Sequence, residues 1–316
     1  MASAGKAFEI QGRRIHVRME RSQQDLDIIN EVLVNDCYHF AEHLAVFPYA
    51  KDQALTVLDV GGHIGTFALL VKAHFPRARI IALEPNPESY ELYRLNAEAN
   101  GLTDCHIYNQ ALNYDPRRVH LLDRNDTTGS CVLADEALVE QLDGRTGAES
   151  PVGVYRRMEN RVESITLEEL MARHSISKIE MAKFDCEGSE FDIFRDISDG
   201  ACRLFSYVFG EYHGSEREFE KLFTSRCPEL AFRAYPTWER LGHFWAEPRS
   251  GKRYLRNLEQ EYRAVRADAE LWRRNYERLA RAFPVRQMLW LRRRLLGISD
   301  LQPSGSVKKE GAGEPQ

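Results

Sequence analysis

The stretch that most constrains this chain is Thr56-Val57-Leu58-Asp59-Val60, a short apolar run that breaks at Gly61-Gly62 and gives way to helical spacing from Ile64 to Phe75. A run of that length feeding a glycine turn reads as a buried parallel strand followed by its crossover helix. Pro76 ends the helix, because proline cannot continue a helix interior. The same beat then recurs. Arg79 to Leu83 is a second strand ending at Glu84, and Pro87 opens a helix that reaches Asn100-Gly101, where glycine suits the C-terminal cap. Cys105–Asn109, Ile179–Phe184 and Leu204–Phe209 read as further strands, with helices at Thr166–His174 and from about Ser189 to Asp196. Thr166 and Glu169 have capping-box spacing. Phe219–Phe223 and Ala231–Ala234 add a helix and a strand. Elements alternating at this size predict a doubly wound, mostly parallel α/β sheet.

Around that core the organisation is looser. Arg14–Arg18 reads as a strand and Asp25–Val46 as helix, so residues 1–50 are expected to form a lid or cap on a domain spanning 51–250. Residues 123–161 are rich in Gly, Asp, Ser and Thr and show no period. An irregular run of that length in a compact domain usually serves as a lid or binding loop, with Thr128, Gly129 and Ser130 on its acceptor side.

The 316 residues, 43% of them hydrophobic, suffice for one sizeable α/β domain plus an appendage. A net charge of −5 argues against a nucleic-acid binder. Six scattered cysteines have no ligand-like spacing, which disfavours a structural zinc site and a disulfide framework and suits a reducing, cytoplasmic setting. The first residues lack the apolar run of a signal peptide, and no stretch approaches the roughly 18 apolar residues of a membrane span.

In an open α/β sheet ligands bind beyond the carboxyl ends of the strands. Gly61, Gly62 and Gly65 occupy the first strand-to-helix turn, where glycine permits positive φ and close backbone approach. Glu84 ends the next strand, placed to accept both ribose hydroxyls of an adenosine ligand, about twenty residues on, as in one βαβ unit. A dinucleotide fingerprint would need a second glycine where His63 stands, and no phosphate-loop Gly-x-x-x-x-Gly-Lys-Ser/Thr occurs. Asp59 suits a cationic ligand better than a pyrophosphate. A sulfonium cofactor with an amino-acid end meets these demands.

These residues carry a resemblance. Val57 to Phe67 resembles the first motif of the FkbM family of methyltransferases, and the likeness continues through Ala82-Leu83-Glu84-Pro85-Asn86-Pro87 and Asn109-Gln110-Ala111-Leu112. It ends on Val162–Leu170 and on Lys183-Phe184-Asp185-Cys186-Glu187-Gly188-Ser189-Glu190. The resemblance covers roughly 25–235. It implies a class I methyltransferase (Rossmann-like) fold with a seven-stranded sheet, S-adenosylmethionine as donor and a hydroxyl acceptor, often on sugars or polyketide-like products. One departure is His63, where many members have asparagine. The cofactor-binding set expected is Asp59, Gly61, Gly62, His63, Gly65, Thr66, Glu84, Pro85, Asn86, Gln110, Ala111 and Asp185, with Gln110 and Ala111 bordering the adenine.

Methyl transfer to an alcohol needs alignment together with a base or a metal to activate the hydroxyl. Asp185, Glu187 and Glu190 follow the fourth strand. Asp185 and Glu187 are candidates to hold a divalent cation such as Mg²⁺; alternatively Asp185 is the base and Glu187 orients it. Glu190 reads as an electrostatic cap of the next helix. His213, after the fifth strand, titrates near neutrality as an unperturbed imidazole and is the third catalytic candidate. The expected activity is O-methylation of a sugar or glycan hydroxyl. Alternatives are O- or N-methylation of a small natural product, or a scaffold that keeps only the fold.

The C-terminal part differs in kind. Between 251 and 296 there are thirteen Lys and Arg against five Asp and Glu. Leu255 to Phe283 carries four heptads of alternating three- and four-residue spacing, as in a coiled coil, which suggests a homo-oligomer through 255–283. Residues 285–296 combine Trp290 and leucines with Arg286, Arg292, Arg293 and Arg294, suited to peripheral contact with the inner face of a membrane. A helical, basic extension over 251–300 and a disordered tail over 301–316 are expected.

Overall fold

The computed structural model describes residues 4–19, 22–44, 47–114, 120–124, 130–133, 155–157, 162–238 and 241–249. The chain divides into two compact units, Met1–Gly251 and Lys252–Gln316. The heptads, the basic segment 285–296 and the 301–316 tail lie outside the described residues, as do Thr128 and Gly129.

The first unit opens with a hairpin of β1 (Ala4–Ile10) and β2 (Arg13–Met19). Helix α1 (Ser22–Ile29) runs into a π-helical turn at Asn30–Val34, and α2 (Phe40–Leu44) follows. The single helix expected over 25–46 is therefore interrupted. Asp36 and His39 adopt left-handed φ values of 49° and 53°, and the Asp36 carboxylate accepts from the Phe40 and Ala41 amides at 2.7 and 2.8 Å. A short acidic side chain that caps a new helix competes with continuation of the old one.

The core elements are β3 (Thr56–Val60), α3 (Thr66–His74), β4 (Arg79–Leu83), α4 (Pro87–Ala99), β5 (Cys105–Tyr108), β6 (Ala111–Leu112), β7 (His120–Arg124), β8 (Ser130–Leu133), β9 (Tyr155–Arg157) and β10 (Ser164–Ile165). They continue as α5 (Leu167–His174), β11 (Ile179–Phe184), α6 (Ser189–Asp196), α7 (Asp199–Cys202), β12 (Phe205–His213), α8 (Glu216–Arg226), β13 (Leu230–Trp238) and β14 (Leu241–Pro248). Seven strands form one sheet in the order β13-β14-β12-β11-β3-β4-β5. Only β14 runs against the rest, paired antiparallel with β12 and β13. This is the seven-stranded, mostly parallel sheet that the resemblance implied. The strand β14 has no counterpart in the sequence reading, since Leu241–Pro248 mixes Gly, His and Glu with its apolar residues.

Both faces of the sheet are covered. Phe194, Phe219 and Phe223 pack one face against Phe184 and Val208, while Phe40, Phe67 and Trp245 pack the other against Val57 and Phe209. Buried strands this apolar on both sides are what parallel sheets require. Residues 123–161, expected to be irregular, contribute strands. β7 pairs antiparallel with both β8 and β9. The Leu121 and Val132 pair of that small sheet shows why: short alternation hidden among polar residues still makes a strand once a partner is supplied. Among the described residues no helix is long and apolar enough to cross a membrane.

Candidate functional site

The strand order reverses at β3, which has β4 on one side and β11 on the other, and the loops leaving β3, β4 and β11 meet there. The amides of Gly61 and Gly62 both donate to the Leu83 carbonyl at 3.0 Å, and the Asp185 amide donates to the Val60 carbonyl at 3.2 Å. Glycine is demanded here by the protein's own packing. A Cβ on Gly61, whose φ is +75°, would lie 1.8 Å from the Asp185 carbonyl oxygen. The Tyr93 ring of α4 sits against Gly62 and Gly65, where a Cβ would come within 2.4 Å of it. The expectation that these glycines mainly admit a ligand is sharpened accordingly: they admit Tyr93 and the β11 backbone, and this shapes the cleft.

Asp59 is fully buried. The Tyr93 hydroxyl donates to its Oδ2 at 3.0 Å and Lys183 Nζ stands 3.4 Å from its Oδ1, so the carboxylate is turned inward. Lys183 also donates to the Gly61 carbonyl at 2.5 Å and lies 3.9 Å from Asp185. Burial works against its ammonium, but Asp59 and Asp185 outweigh burial and hold Lys183 above the usual lysine range.

Glu84 is nearly buried at the end of β4. Its Oε2 accepts from the His63 amide at 2.7 Å and its Oε1 from the Asn86 amide at 2.8 Å. Each oxygen keeps a lone pair for a ligand hydroxyl. Burial pushes the Glu84 carboxyl up to about 7, against the pull of those two amides. His63 has φ +48°, and its imidazole Nε2 faces buried Asp25 of α1 at 3.7 Å. Its backbone therefore serves Glu84 while its ring ties the loop to the N-terminal segment. Asn86 is the N-cap of α4, accepting from the Glu88 and Ser89 amides. Asn109 bridges the Glu84 and Pro85 carbonyls at 2.9 and 3.0 Å. Beyond it, Gln110 Oε1 is buried with no hydrogen-bond partner among the described residues. Thr66 begins α3 and is buried, and Ala111 is buried in β6, which pairs with β10.

The carboxyl ends of β11 and β12 bring together Asp185, Glu187, Glu190, Glu211 and His213. Glu190 is fully buried and accepts from the Cys186 and Gly188 amides at 2.6 and 2.8 Å, the capping role its position suggests. Glu187 (φ +55°) and Gly188 (φ +103°) bend the chain sharply. A non-glycine residue held in that region marks a site where surrounding structure sustains strain. Asp185 Oδ2 accepts from the Tyr38 hydroxyl at 2.6 Å. Burial opposes the Asp185 charge, but Lys183, His213 and Tyr38 outweigh it and keep its carboxyl below the usual range. Glu187, 28% exposed, is pushed up to about 7 by burial and by its acidic neighbours.

His213 does not behave as an unperturbed imidazole. Its Nδ1 faces Glu190 at 3.3 Å, and its Nε2 faces Glu187 at 3.5 Å and Glu211 at 3.6 Å. Burial disfavours the charged ring, yet Glu190, Glu187 and Asp185 together push it up to about 10. The ring is therefore held more basic than the unperturbed imidazole that the sequence suggested. The metal expectation is corrected too. Among the described residues, the trio whose ligand atoms approach within 4.8 Å is Asp185, Glu211 and His213, with Glu187 outside it. An imidazole in the set also suits magnesium poorly, because that ion favours oxygen ligands.

Sequence reasoning missed Tyr38, Lys183, Tyr93 and His243. Tyr38 reaches Asp185 across 147 positions, and His243 Nε2 meets Glu211 Oε1 at 3.0 Å from β14. Glu211 had a legible signal, since it lies two residues from His213 on β12 and hence on the same face.

Comparison with known proteins identifies the family. Residues 59–254 match the model of the family described as Methyltransferase FkbM domain. Methyltransferase 1 of Beauveria bassiana is 24% identical over 195 residues, covering 61% of this chain and 75% of that protein. Methyltransferase sdnD of Sordaria araneosa is 25% identical over 201 residues, covering 58% and 73%. A solved structure of a SAM dependent methyltransferase from Aquifex aeolicus aligns with a TM-score of 0.38 at 11% identity, over 72% of this chain and 98% of that one.

Proposed function

The chain belongs to the FkbM methyltransferase domain family, and from that premise we propose that it O-methylates a hydroxyl of a sugar or glycan. Membership makes it an S-adenosylmethionine-dependent methyltransferase. The observation that carries the choice of acceptor is the lining beside the cofactor loop, where Asp185, Glu187, Glu211 and His213 converge. Carboxylates only accept hydrogen bonds when ionised, so a polyhydroxylated acceptor supplies the donors they need.

S-adenosylmethionine, when bound, supplies a methyl group on a cationic sulfur. The residues fit it: Glu84 retains lone pairs for the ribose hydroxyls, and the partnerless Gln110 Oε1 suits an adenine amino group. Asp59, buried behind the loop, supports the turn through Tyr93 and Lys183. Glu187 is the carboxylate outside the Asp185–Glu211–His213 trio, and its side chain takes the hydroxyl proton as the acceptor oxygen bonds to carbon. Asp185, fastened by Tyr38, orients the hydroxyl. The products are a methyl ether and S-adenosylhomocysteine.

Incubation with methyl-labelled S-adenosylmethionine and a panel of free, nucleotide-linked and lipid-linked sugars is expected to give labelled O–CH₃ resonances. Label that appears only on amines, peptides or polyketides would replace the sugar reading. The cofactor end makes a separate prediction. Ionised Glu84 accepts from two hydroxyls, whereas its protonated form loses one acceptor position. Affinity for S-adenosylhomocysteine should therefore rise with pH. For a carboxyl at about 7 the ionised fraction grows roughly tenfold between pH 6 and pH 8, and calorimetry should record about that gain. Lys183 and Asp59 are the charged groups facing Glu84. Glu84→Gln should flatten the profile, and a flat profile in the unaltered protein would remove Glu84 from ribose binding.

A further inference from the structure

We propose that Asp185, Glu211 and His213 bind a divalent transition-metal ion of the manganese, iron or zinc kind, which takes the acceptor hydroxyl as a further ligand. This rests on the methyltransferase reading and deepens it, because it says how the acceptor is held. One ligand atom from each residue lies within 4.8 Å of the others, close enough for a single ion to be shared.

What stands behind each residue separates this trio from an ordinary group of acids. Glu190, fully buried and fastened by two backbone amides, faces His213 Nδ1 at 3.3 Å and leaves Nε2 turned toward Glu187 Oε2 at 3.5 Å and Glu211 Oε2 at 3.6 Å. His243 Nε2 meets Glu211 Oε1 at 3.0 Å, which leaves Oε2 for a ligand. The Tyr38 hydroxyl engages Asp185 Oδ2 at 2.6 Å, which leaves Oδ1. Each member is tied at one atom and keeps another, the arrangement by which outer groups orient metal ligands; a carboxylate behind a histidine is its commonest form. The three supports come from α6, β14 and the segment before α2, so separate parts of the fold converge on one point.

Charge favours a cation as well, and the ion replaces the proton that the surrounding carboxylates favour on the His213 ring, which leaves to solvent. Asp185, Glu187, Glu190 and Glu211 crowd this end of the sheet, while Lys183 is shared with Asp59 and the Gly61 carbonyl. An imidazole beside two carboxylates selects manganese, iron or zinc over magnesium. Three protein ligands leave coordination positions open, so an acceptor with two neighbouring hydroxyls could chelate the ion. The substrate class narrows to vicinal diols.

The test uses the full chain, stripped with EDTA, dialysed and titrated with MnCl₂ by calorimetry and by the Mn²⁺ electron paramagnetic resonance signal. One saturable site per chain is expected, weakened by about tenfold or more in Glu211→Gln and in His213→Asn. Excess MgCl₂ should not displace the manganese. S-adenosylhomocysteine binding, measured on the same samples, should persist in both variants and so report that they are folded. Absence of saturable Mn²⁺ and Zn²⁺ binding overturns the site, as does equal Mn²⁺ binding in the unaltered protein and both variants. Methyl transfer at full rate in EDTA overturns ligation of the hydroxyl while leaving the methyltransferase reading intact. Failure of the unaltered protein to bind S-adenosylhomocysteine would instead strike that reading.

Discussion

Glu187→Gln is expected to keep S-adenosylhomocysteine affinity within about twofold and to lower kcat by about 10²- to 10⁴-fold, the range spanned by a positioned general base. The side chain is the most exposed carboxylate of the cluster, at 28%, and it faces His213 Nε2 at 3.5 Å. Glutamine keeps the shape and the tolerance for the turn at φ +55° but cannot accept a proton. The Asp185→Ala exchange that the sequence alone would suggest is less clean. It would strip Tyr38 of its hydrogen-bond acceptor and leave buried Lys183 with one carboxylate fewer, so lost turnover would mix chemistry with structure. Steady-state kinetics beside calorimetry separates the two for Glu187. A kcat within threefold of the unaltered enzyme would take the base role away from Glu187.

Gly61→Ala should cost at least about 3 kcal/mol of stability, combining overpacking with a left-handed alanine. For a unit of this size that lowers Tm by about 6–12 °C. The added Cβ would meet the Asp185 carbonyl oxygen at 1.8 Å, and that carbonyl belongs to the β11 backbone, which cannot swing aside as a side chain can. Moving it would displace the catalytic turn as well, so cofactor binding should weaken in the same variant. Gly101→Ala is the control. Its φ is +61°, but a Cβ there meets nothing within 4 Å, so it should lose only the roughly 1–2 kcal/mol of the backbone term. Equal losses in the two variants, measured by thermal and urea unfolding, would show that the close approach at Gly61 carries no weight.

The two predictions differ in how far the sequence foretold them. Glu187 was legible because family-like residues sit just past a strand, where any α/β sheet presents its ligands. The importance of Gly61 was legible too, but for an incomplete reason. A glycine turn announces room for something, and local pattern cannot say whether a ligand or the protein fills it. Tyr93 lies 31 residues beyond Gly62 on another helix, and only the packing of α4 against the loop shows that its ring occupies the space. His63 is similar. Its backbone amide serves Glu84 because the turn is tight, whereas its ring finds Asp25 because α1 lies over the loop.

The strand–turn–helix beat, the parallel sheet and the carboxylates at strand ends follow from the sequence by itself, since period, turn chemistry and chain direction are local properties. The seven-strand order is different. It brings Tyr38 to Asp185 across 147 positions and sets antiparallel β14, with His243, beside β12. The basicity of His213 also belongs to the tertiary level, because the carboxylates of the β11–α6 turn act on it only once β12 lies beside β11. Contacts between distant segments depend on which strands become neighbours, and no local pattern encodes that choice. The glycine loop was readable from its own residues; what presses against it was decided only when the sheet closed around β3.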